Sequence, residues 1–272
     1  MSEPLETLLI TRRGPVLEVL LNRPDKRNAI SERMHQEFDQ VLDDAEADPA
    51  VKVVLVQGAG TVFSAGHDIQ EMARLREAEA DPYGSPSQAR TMPRAWYFRK
   101  PLIGAVHGFV GPAAIELLTS FDFVLAAAGT RFSMEQLQYN PVVPHSGYVA
   151  LFFQLPMRVM EKLWLMGGWM DAEEAHQFQF VQRVVAPELL SEEANRWADQ
   201  MARVPMDYFM PAKAGLRRTY EMLGLSWMQA MRNPPLDPSP ERAEFERLVS
   251  EVGMKAALRQ REEGTDPDVT RV

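Results

Sequence analysis

The pattern of apolar and polar residues divides the chain into a mixed α/β part and a helical part. Short apolar runs bounded by turn-forming residues predict buried strands. These runs are residues 16–21, 51–56, 102–106 and 121–127. Apolar side chains recur at helical spacing over residues 31–49 and 113–120. The strand–strand–helix rhythm continues to about residue 185, so an α/β core is expected over residues 1–186.

Helix ends and loops are marked by the residues between these elements. Ser31 is a suitable N-cap for the first long helix, and Pro49 stops that helix. Residues 71–86 are polar and broken by proline and glycine, which predicts a mobile surface loop. A short helix is expected between this loop and Lys100.

The pattern changes after residue 187, where amphipathic helices replace the alternation with strands. The predicted helices are residues 189–202, 211–223 and 241–263, with a proline-rich break between the last two. Helices of this kind bury little by themselves, so they are expected to pack on the core, on a neighbouring subunit, or on both. We therefore treat residues 187–272 as a C-terminal helical oligomerisation region.

Composition and charge narrow the classes of function. The 272 residues are 46% hydrophobic and 25% charged, as in ordinary globular enzymes. The net charge of −9 argues against a nucleic-acid or anionic-membrane partner. The chain holds no cysteine, which excludes thiol nucleophiles, disulfides and thiolate metal sites. Residues 1–14 do not resemble a signal peptide and no apolar run could span a bilayer, so a cytoplasmic protein is expected.

Two turns carry the strongest chemical signal. Residues 63–69 (FSAGHDI) and 107–116 (HGFVGPAAIE) each follow an apolar run and end in small residues at a turn, where backbone N–H groups are expected to remain available. Two such turns can aim two N–H groups at one carbonyl oxygen, which is what an oxyanion hole requires. Glu116 lies one helical turn after Ala113, so its carboxylate can face the same site. These turns predict acyl-group chemistry.

Four stretches in this order resemble the crotonase (enoyl-CoA hydratase/isomerase) superfamily over nearly the whole chain. They are residues 21–24 (LNRP) with Asn28-Ala29, residues 63–69, residues 100–122 and residues 170–175 (MDAEEA). The resemblance implies a crotonase-like spiral of ββα units followed by a helical trimerisation region, the trimers often pairing into hexamers. It also implies a CoA thioester as substrate, a place in fatty-acid metabolism, and neither a metal nor a separate cofactor.

Carried over residue by residue, the resemblance places the two oxyanion donors on the N–H groups of His67 and Ala113. Pro112 has no N–H and suits the first helical position, which leaves Ala113 as a donor at a helix N-terminus. Where the family has a glycine triplet, this chain has Pro112-Ala113-Ala114, whose methyl groups narrow the thioester channel. Asp68 is expected to cap the helix that follows it. The substrate-binding residues expected are Lys26, Ala29, Ala65, Gly66, His67, Asp68, Ile69 and Ala113. For Lys26 the alternative is a place in a solvated turn.

Glu116 aligns with the first of two glutamates that hydratases of this family use. A carboxylate on an apolar helix is costly to bury without a purpose or a partner. The second glutamate falls on Gln136 by ungapped counting, and Glu135 takes that place only after a shift of one residue. Addition of water across a double bond is best served by two carboxyl groups. Gln136 is a catalytic candidate that can hold the water, but because it cannot exchange a proton, its presence argues against efficient hydration.

The chain is also similar to methylmalonyl-CoA decarboxylase, within the same superfamily, at residues 65–68 and 132–134. His145 falls near the segment that supplies a tyrosine to that enzyme's site, and it is a candidate catalytic residue together with the side chain of His67. A decarboxylase needs an oxyanion hole and a pocket that strains or desolvates a carboxylate, with little acid–base machinery. The structural alternative for His145 is a solvent-exposed loop histidine.

Other classes of protein fit less well. The Gly58-x-Gly60 turn lacks the third glycine of a dinucleotide-binding loop, and no nucleophile elbow surrounds Ser146. A catalytically silent crotonase-fold binding protein is the non-enzyme alternative, suggested by the missing glycine triplet and second glutamate. The favoured expectation is an enoyl-CoA hydratase, with isomerase or decarboxylase activity as alternatives. The expected assembly is a homotrimer or a dimer of trimers.

Overall fold

The structure, a computed structural model, describes residues 5–71, 86–135 and 148–225 and a few separate positions between 244 and 271. Its strands are β1 (Leu8–Arg13), β2 (Val16–Leu21), β3 (Val53–Gly58), β4 (Leu102–Val106), β5 (Phe109–Val110), β6 (Phe123–Ala127), β7 (Arg131–Ser133), β8 (Trp169–Asp171) and β9 (Arg183–Val185). Its helices are α1 (Glu32–Ala47), α2 (Pro86–Trp96), α3 (Pro112–Leu118), α4 (Leu151–Gln154), α5 (Met157–Leu165), α6 (Ala172–Gln177), α7 (Leu190–Ala202) and α8 (Met206–Met222). This alternation confirms the predicted α/β class.

A six-stranded sheet in the order β1-β2-β3-β4-β6-β9 forms the centre of the fold. β1 and β2 pair antiparallel, and every other pair in this sheet is parallel. β3 and β4 are apolar and buried along most of their length, as parallel strands covered on both faces must be. Their alternate side chains pack against α1 and α3 on one face and against α7 on the other.

The helix α1 confirms the clearest signal in the sequence. The hydroxyl oxygen of Ser31 accepts a hydrogen bond from the N–H of Met34 at 3.2 Å, as expected of an N-cap. Phe38 and Leu42 lie on the buried face of the helix, one turn apart. The helix ends at Ala47, two residues before Pro49.

A second sheet, β5-β7-β8, carries one of the two turns predicted to bear chemistry. β5 and β7 are parallel, and β7 and β8 are antiparallel. An isolated bridge joins Ser64 to Val110. Residues paired across neighbouring strands therefore form one continuous row, which consists of Ser64, Val110, Phe132 and Met170. This row places residues 63–69 beside β5, which leads directly into α3.

Several predicted boundaries are wrong by a few residues. The strand expected at residues 51–56 is β3, which begins at Val53, and the strand expected at 121–127 begins at Phe123. The helix expected at 113–120 ends at Leu118. β1 was not expected at all, because only Leu8 of its six residues is buried and no alternation of apolar and polar residues results.

The predicted helical part after residue 187 is present as α7 and α8. α8 begins at Met206 rather than at Pro211, which lies inside the helix and gives up one intrahelical hydrogen bond there. Most of the helix predicted at 241–263 and of the loop predicted at 71–86 lies outside the described residues. Among the described residues, no helix is long and apolar enough to cross a membrane.

Candidate active site

The loop between β2 and α1 is fixed by one buried amide. The side chain of Asn28 is fully buried, and its Nδ2 donates to the carbonyl oxygens of Ala59, Val62 and Phe63 at 2.7, 3.0 and 3.0 Å. Its Oδ1 accepts from the N–H of Arg23 at 2.9 Å. Because these partners come from two segments, the amide ties the loop to the turn that follows β3.

Ser64 carries this network into the first of the two predicted turns. Its hydroxyl donates to the carbonyl oxygen of Asn28 at 2.7 Å and accepts from the N–H of Gly66 at 3.1 Å. Gly66 has φ +94°, a conformation that favours glycine. A Cβ at Gly66 would also lie only 3.3 Å from the ring of Pro112. The first turn therefore packs closely against the first residue of α3.

The two predicted turns contact each other through their backbones. The N–H of Gly111 donates to the carbonyl oxygen of Ser64 at 2.9 Å. Gly111 has no room for a side chain, since a Cβ there would lie 2.1 Å from the carbonyl oxygen of Ala65 and 2.9 Å from the nitrogen of Gly66. Only glycine permits this approach, so the two turns form one junction.

Hydrogen bonds on one side of the first turn orient the N–H of His67. The N–H of Ile30 donates to the carbonyl oxygen of Gly66 at 2.7 Å, and the N–H of Asp68 donates to the carbonyl oxygen of Ile30 at 3.0 Å. In a trans peptide the C=O and N–H groups point in opposite directions. Because no described peptide bond is cis, the N–H of His67 points away from Ile30.

The second predicted donor lies at the N-terminus of α3. Gly111 is the N-cap of this helix and Pro112 its first residue, as expected, so Ala113 stands in the first turn. Backbone donors in the first turn of a helix have no intrahelical acceptor, and they carry its positive dipole end. Since Gly66 packs against Pro112, His67 and Ala113 belong to the same junction.

Glu116 is fully buried on α3, a helix with every residue buried. Helical side chains lean toward the N-terminus, so its carboxyl extends back toward the turn that holds Ala113. Tyr148 is also fully buried, and its ring packs edge-on against Trp164 with the ring centroids 5.0 Å apart. Burial, and in addition the charge of Glu116, raise the pKa of Tyr148 well above its ordinary value. The phenol therefore stays protonated near the carboxyl of Glu116.

The remaining substrate-binding candidates surround the junction in different ways. Asp68 accepts from the N–H of Glu71 at 3.3 Å, as predicted for a cap, and pairs with Arg23 at 3.0 Å. Arg23 also donates to the carbonyl oxygen of Ala29 at 2.7 Å. Ala65 is half-buried on the first turn. The two candidates exposed at the surface are Lys26 and Ile69.

The segment expected to carry the second glutamate is described only as far as Glu135. The two carboxylate oxygens of Glu135 accept from Arg131 Nη2 and from the hydroxyl of Ser133, each at 2.6 Å. Gln136 and His145 lie outside the described residues, so their predicted roles stay predictions. Glu135, which follows β7, therefore pairs with two side chains of that strand.

Two groups at the junction were missed by sequence reasoning. The role of Asn28 could have been predicted from its residue type. Asparagine tolerates the positive φ of 51° found there, and its side-chain amide can donate to several carbonyl groups. The role of Tyr148 could not have been predicted, since no local pattern indicates that it is buried near Glu116.

Known proteins are similar to this chain in sequence and in fold. A family model described as enoyl-CoA hydratase/isomerase matches residues 11–233. Carnitinyl-CoA dehydratase from Citrobacter koseri is 32% identical over 218 residues, which cover 80% of this chain and 82% of that protein. The chain belongs to the enoyl-CoA hydratase/isomerase family. A probable enoyl-CoA hydratase from Rhizobium meliloti is 33% identical over 220 residues, which cover 80% of this chain and 83% of that relative.

Solved structures agree with this assignment. An enoyl-CoA hydratase/isomerase from Xanthobacter autotrophicus Py2 superposes with a TM-score of 0.83 at 26% identity, covering 97% of this chain and 100% of that one. An enoyl-CoA hydratase from Mycobacterium smegmatis gives a TM-score of 0.81 at 22% identity, which supports the fold alone. The crotonase fold is confirmed, and the chain is an enzyme of the enoyl-CoA hydratase/isomerase family.

Proposed function

We propose that this family member adds water to a 2-enoyl-CoA, or removes it in the reverse direction, with Glu116 as the acid–base residue. The thioester carbonyl lies between the N–H groups of His67 and Ala113. The observation that carries the proposal is the backbone contact of two turns beside one fully buried carboxyl. Relatives named hydratase and dehydratase support it, because these names describe opposite directions of one type of reaction.

The proposed site supplies what this reaction needs at each atom. When the oxygen of water bonds to Cβ, electron density moves onto the thioester oxygen, and an enolate forms that two backbone N–H groups stabilise. Glu116 takes a proton from the water and returns it to Cα, so one carboxyl serves both steps and the atoms balance. The buried surroundings of Glu116 exclude competing bulk water from this transfer.

Decarboxylation of a malonyl-type CoA thioester is the second candidate reaction. Loss of CO₂ leaves the same enolate on the thioester, so the same two N–H groups would stabilise it. The observation that favours it is the engagement of Glu135 by Arg131 and Ser133, which leaves Glu116 as the carboxyl buried at the junction within the described ranges. Decarboxylation needs fewer acid–base groups than hydration does.

A substrate panel with one matched pair of variants tests the proposal. Enoyl-, malonyl- and β-oxoacyl-CoA thioesters are incubated with the enzyme, and the products are identified by mass spectrometry. Glu116→Gln keeps the shape of the side chain and removes its proton exchange, so the hydration kcat is expected to fall about 100-fold or more with KM nearly unchanged. Glu173→Gln, an exposed position on α6, is the control and should leave both constants unchanged.

The outcomes separate the two candidate reactions. Hydration that survives Glu116→Gln within a few-fold would refute Glu116 as the acid–base residue. Loss of CO₂ from a malonyl-type thioester that tolerates Glu116→Gln would favour decarboxylation. Binding of CoA thioesters with no turnover of any panel member would support the silent binding protein instead.

A further inference from the structure

The second sheet connects Arg271 to the strand that leads into the turn holding Ala113. Arg271 forms an isolated bridge with Trp169, and Trp169 pairs with Ser133 across β8 and β7. In the parallel pairing of β5 and β7, Phe132, the residue before Ser133, lies opposite Val110, and Gly111, the N-cap of α3, directly follows Val110. Arg271 therefore lies at the β8 edge of the sheet, and the other edge is β5, which leads into the turn that holds Ala113, here called the donor turn.

The side chain of Arg271 lies among two carboxylates and an indole ring. Asp171 and Glu174 form the capping box at the start of α6, each accepting from the other's backbone N–H. Arg271 donates to Glu174 at 3.0 Å and forms an ion pair with Asp171. Its guanidinium also lies 5.4 Å from the ring centroid of Trp169. Arg271 thus relieves the repulsion between two neighbouring acids and holds β8 from its outer edge.

The contact chain continues from Trp169 to the end of β7. The guanidinium of Arg131 lies 4.2 Å from the ring centroid of Trp169. The same guanidinium donates to Glu135 at 2.6 Å, and Ser133 donates to the second oxygen of that carboxylate. Aromatic stacking and a charge-assisted hydrogen bond therefore fix β7, which pairs with β5, the strand that leads into the donor turn.

We propose that Arg271 is a positioning residue for the donor turn of α3. It acts through Trp169 and Arg131, which hold β8 and β7 in register beside Gly111 and so fix the direction of the Ala113 N–H. The expected effect of Arg271 on catalysis rests on the proposed function. The structural part of the inference, the coupling of Arg271 to the donor turn, stands on the contacts alone.

Kinetics and amide hydrogen exchange on the full chain test the proposal together. Arg271→Ala is expected to lower kcat about fivefold or more with KM changed less than about twofold, because a misdirected donor weakens transition-state stabilisation. The amide of Gly111, which donates to Ser64 across the two turns, is expected to exchange about tenfold faster. Arg271→Lys keeps the charge and loses the planar fork, so its effects should be intermediate.

A control variant and a contradicting result complete the test. Arg158→Ala removes a 90% exposed arginine that pairs with Glu161 on its own helix, and it should change neither kcat nor the exchange of Gly111. Faster exchange confined to β8, with Gly111 and kcat unchanged, would overturn the proposal. If the wild type turned over no thioester, the proposed function would fail, and the exchange of Gly111 would still decide whether Arg271 positions the turn.

Discussion

At the residue scale, Asn28 shows how one side chain holds the junction together. Asn28→Ala would leave the carbonyl groups of Ala59, Val62 and Phe63 buried without this donor, and it would place alanine at a positive φ. We expect the free energy of unfolding to fall by about 3 kcal/mol, measured by urea denaturation.

Asn195 provides the matched control for this prediction. Its side chain is half-buried on α7 and accepts one hydrogen bond, from Arg13 at 2.9 Å. Asn195→Ala should cost less than about 1 kcal/mol. Equal losses at the two positions would show that the buried amide network does not determine stability at the junction.

At the residue scale, His35 is also expected to make the free energy of unfolding depend on pH. The imidazole is buried on α1, and burial lowers the pKa of His35 to about 4 despite the opposing charge of Glu32. Above pH 6.5 it is neutral in both states and adds no pH dependence. Between pH 6.5 and about 4 only the unfolded chain takes up the proton, so the free energy of unfolding should fall by up to about 3 kcal/mol.

A single substitution isolates this contribution. His35→Leu removes the titrating group and keeps an apolar side chain at a buried position. The acid-induced loss of stability between pH 6.5 and 4 should then be smaller by most of that amount, as measured by urea denaturation at each pH. An identical pH dependence in the variant would contradict the lowered pKa of His35.

At the element scale, buried charges dock α8 on the core. Asp122 accepts from Lys213 at 2.6 Å and from the N–H of Leu102 at 2.9 Å, and Arg217 lies 3.5 Å away. Burial lowers the pKa of Lys213 to about 8 although Asp122 lies beside it. Asp122→Ala would leave two buried cations unbalanced, so we expect a loss of about 3–5 kcal/mol in the free energy of unfolding.

Lys213→Met is the companion variant for α8. It removes one cation, keeps a similar volume, and leaves Asp122 with Leu102 and Arg217 as partners. The loss should be less than half of that caused by Asp122→Ala, by the same denaturation measurement. A larger loss for Lys213→Met would mean that the lysine contributes by itself rather than by balancing Asp122.

Elements whose signal is local were predictable from the sequence, and those fixed by distant contacts were not. α1 carries its own cap and its own apolar stripe, and β3 and β4 carry continuous apolar runs. β1 gives no such signal, because its pairing with β2 holds it in place while most of its side chains face solvent. The two turns of the candidate site were predictable as small residues after strands. Their contact through Gly66 and Gly111 depends on the register of distant strands, which no local pattern contains.

At the scale of the whole molecule, α8 presents apolar side chains to solvent while it buries two cations. Tyr208, Leu216 and Met222 are 70%, 67% and 83% exposed. Exposed apolar patches of this kind mark contacts between proteins, so we propose that α8 lies at a subunit interface of the homotrimer or dimer of trimers. Light scattering should give three or six times the 30.8 kDa of one chain, and Leu216→Glu should shift the mass downward. A single-chain mass at micromolar concentrations for the wild type would contradict this assembly.

In the proposed site, the N–H groups of His67 and Ala113 polarise one thioester carbonyl. Infrared difference spectroscopy can observe this polarisation, with an enoyl-CoA labelled with carbon-13 at the carbonyl and bound to the Glu116→Gln variant. We expect the carbonyl band to shift to lower frequency on binding, and replacement of the Ala113 peptide N–H by an ester oxygen to remove part of the shift. A bound carbonyl that absorbs at its solution frequency, or a shift unchanged by loss of that N–H, would show that these two donors do not polarise the thioester.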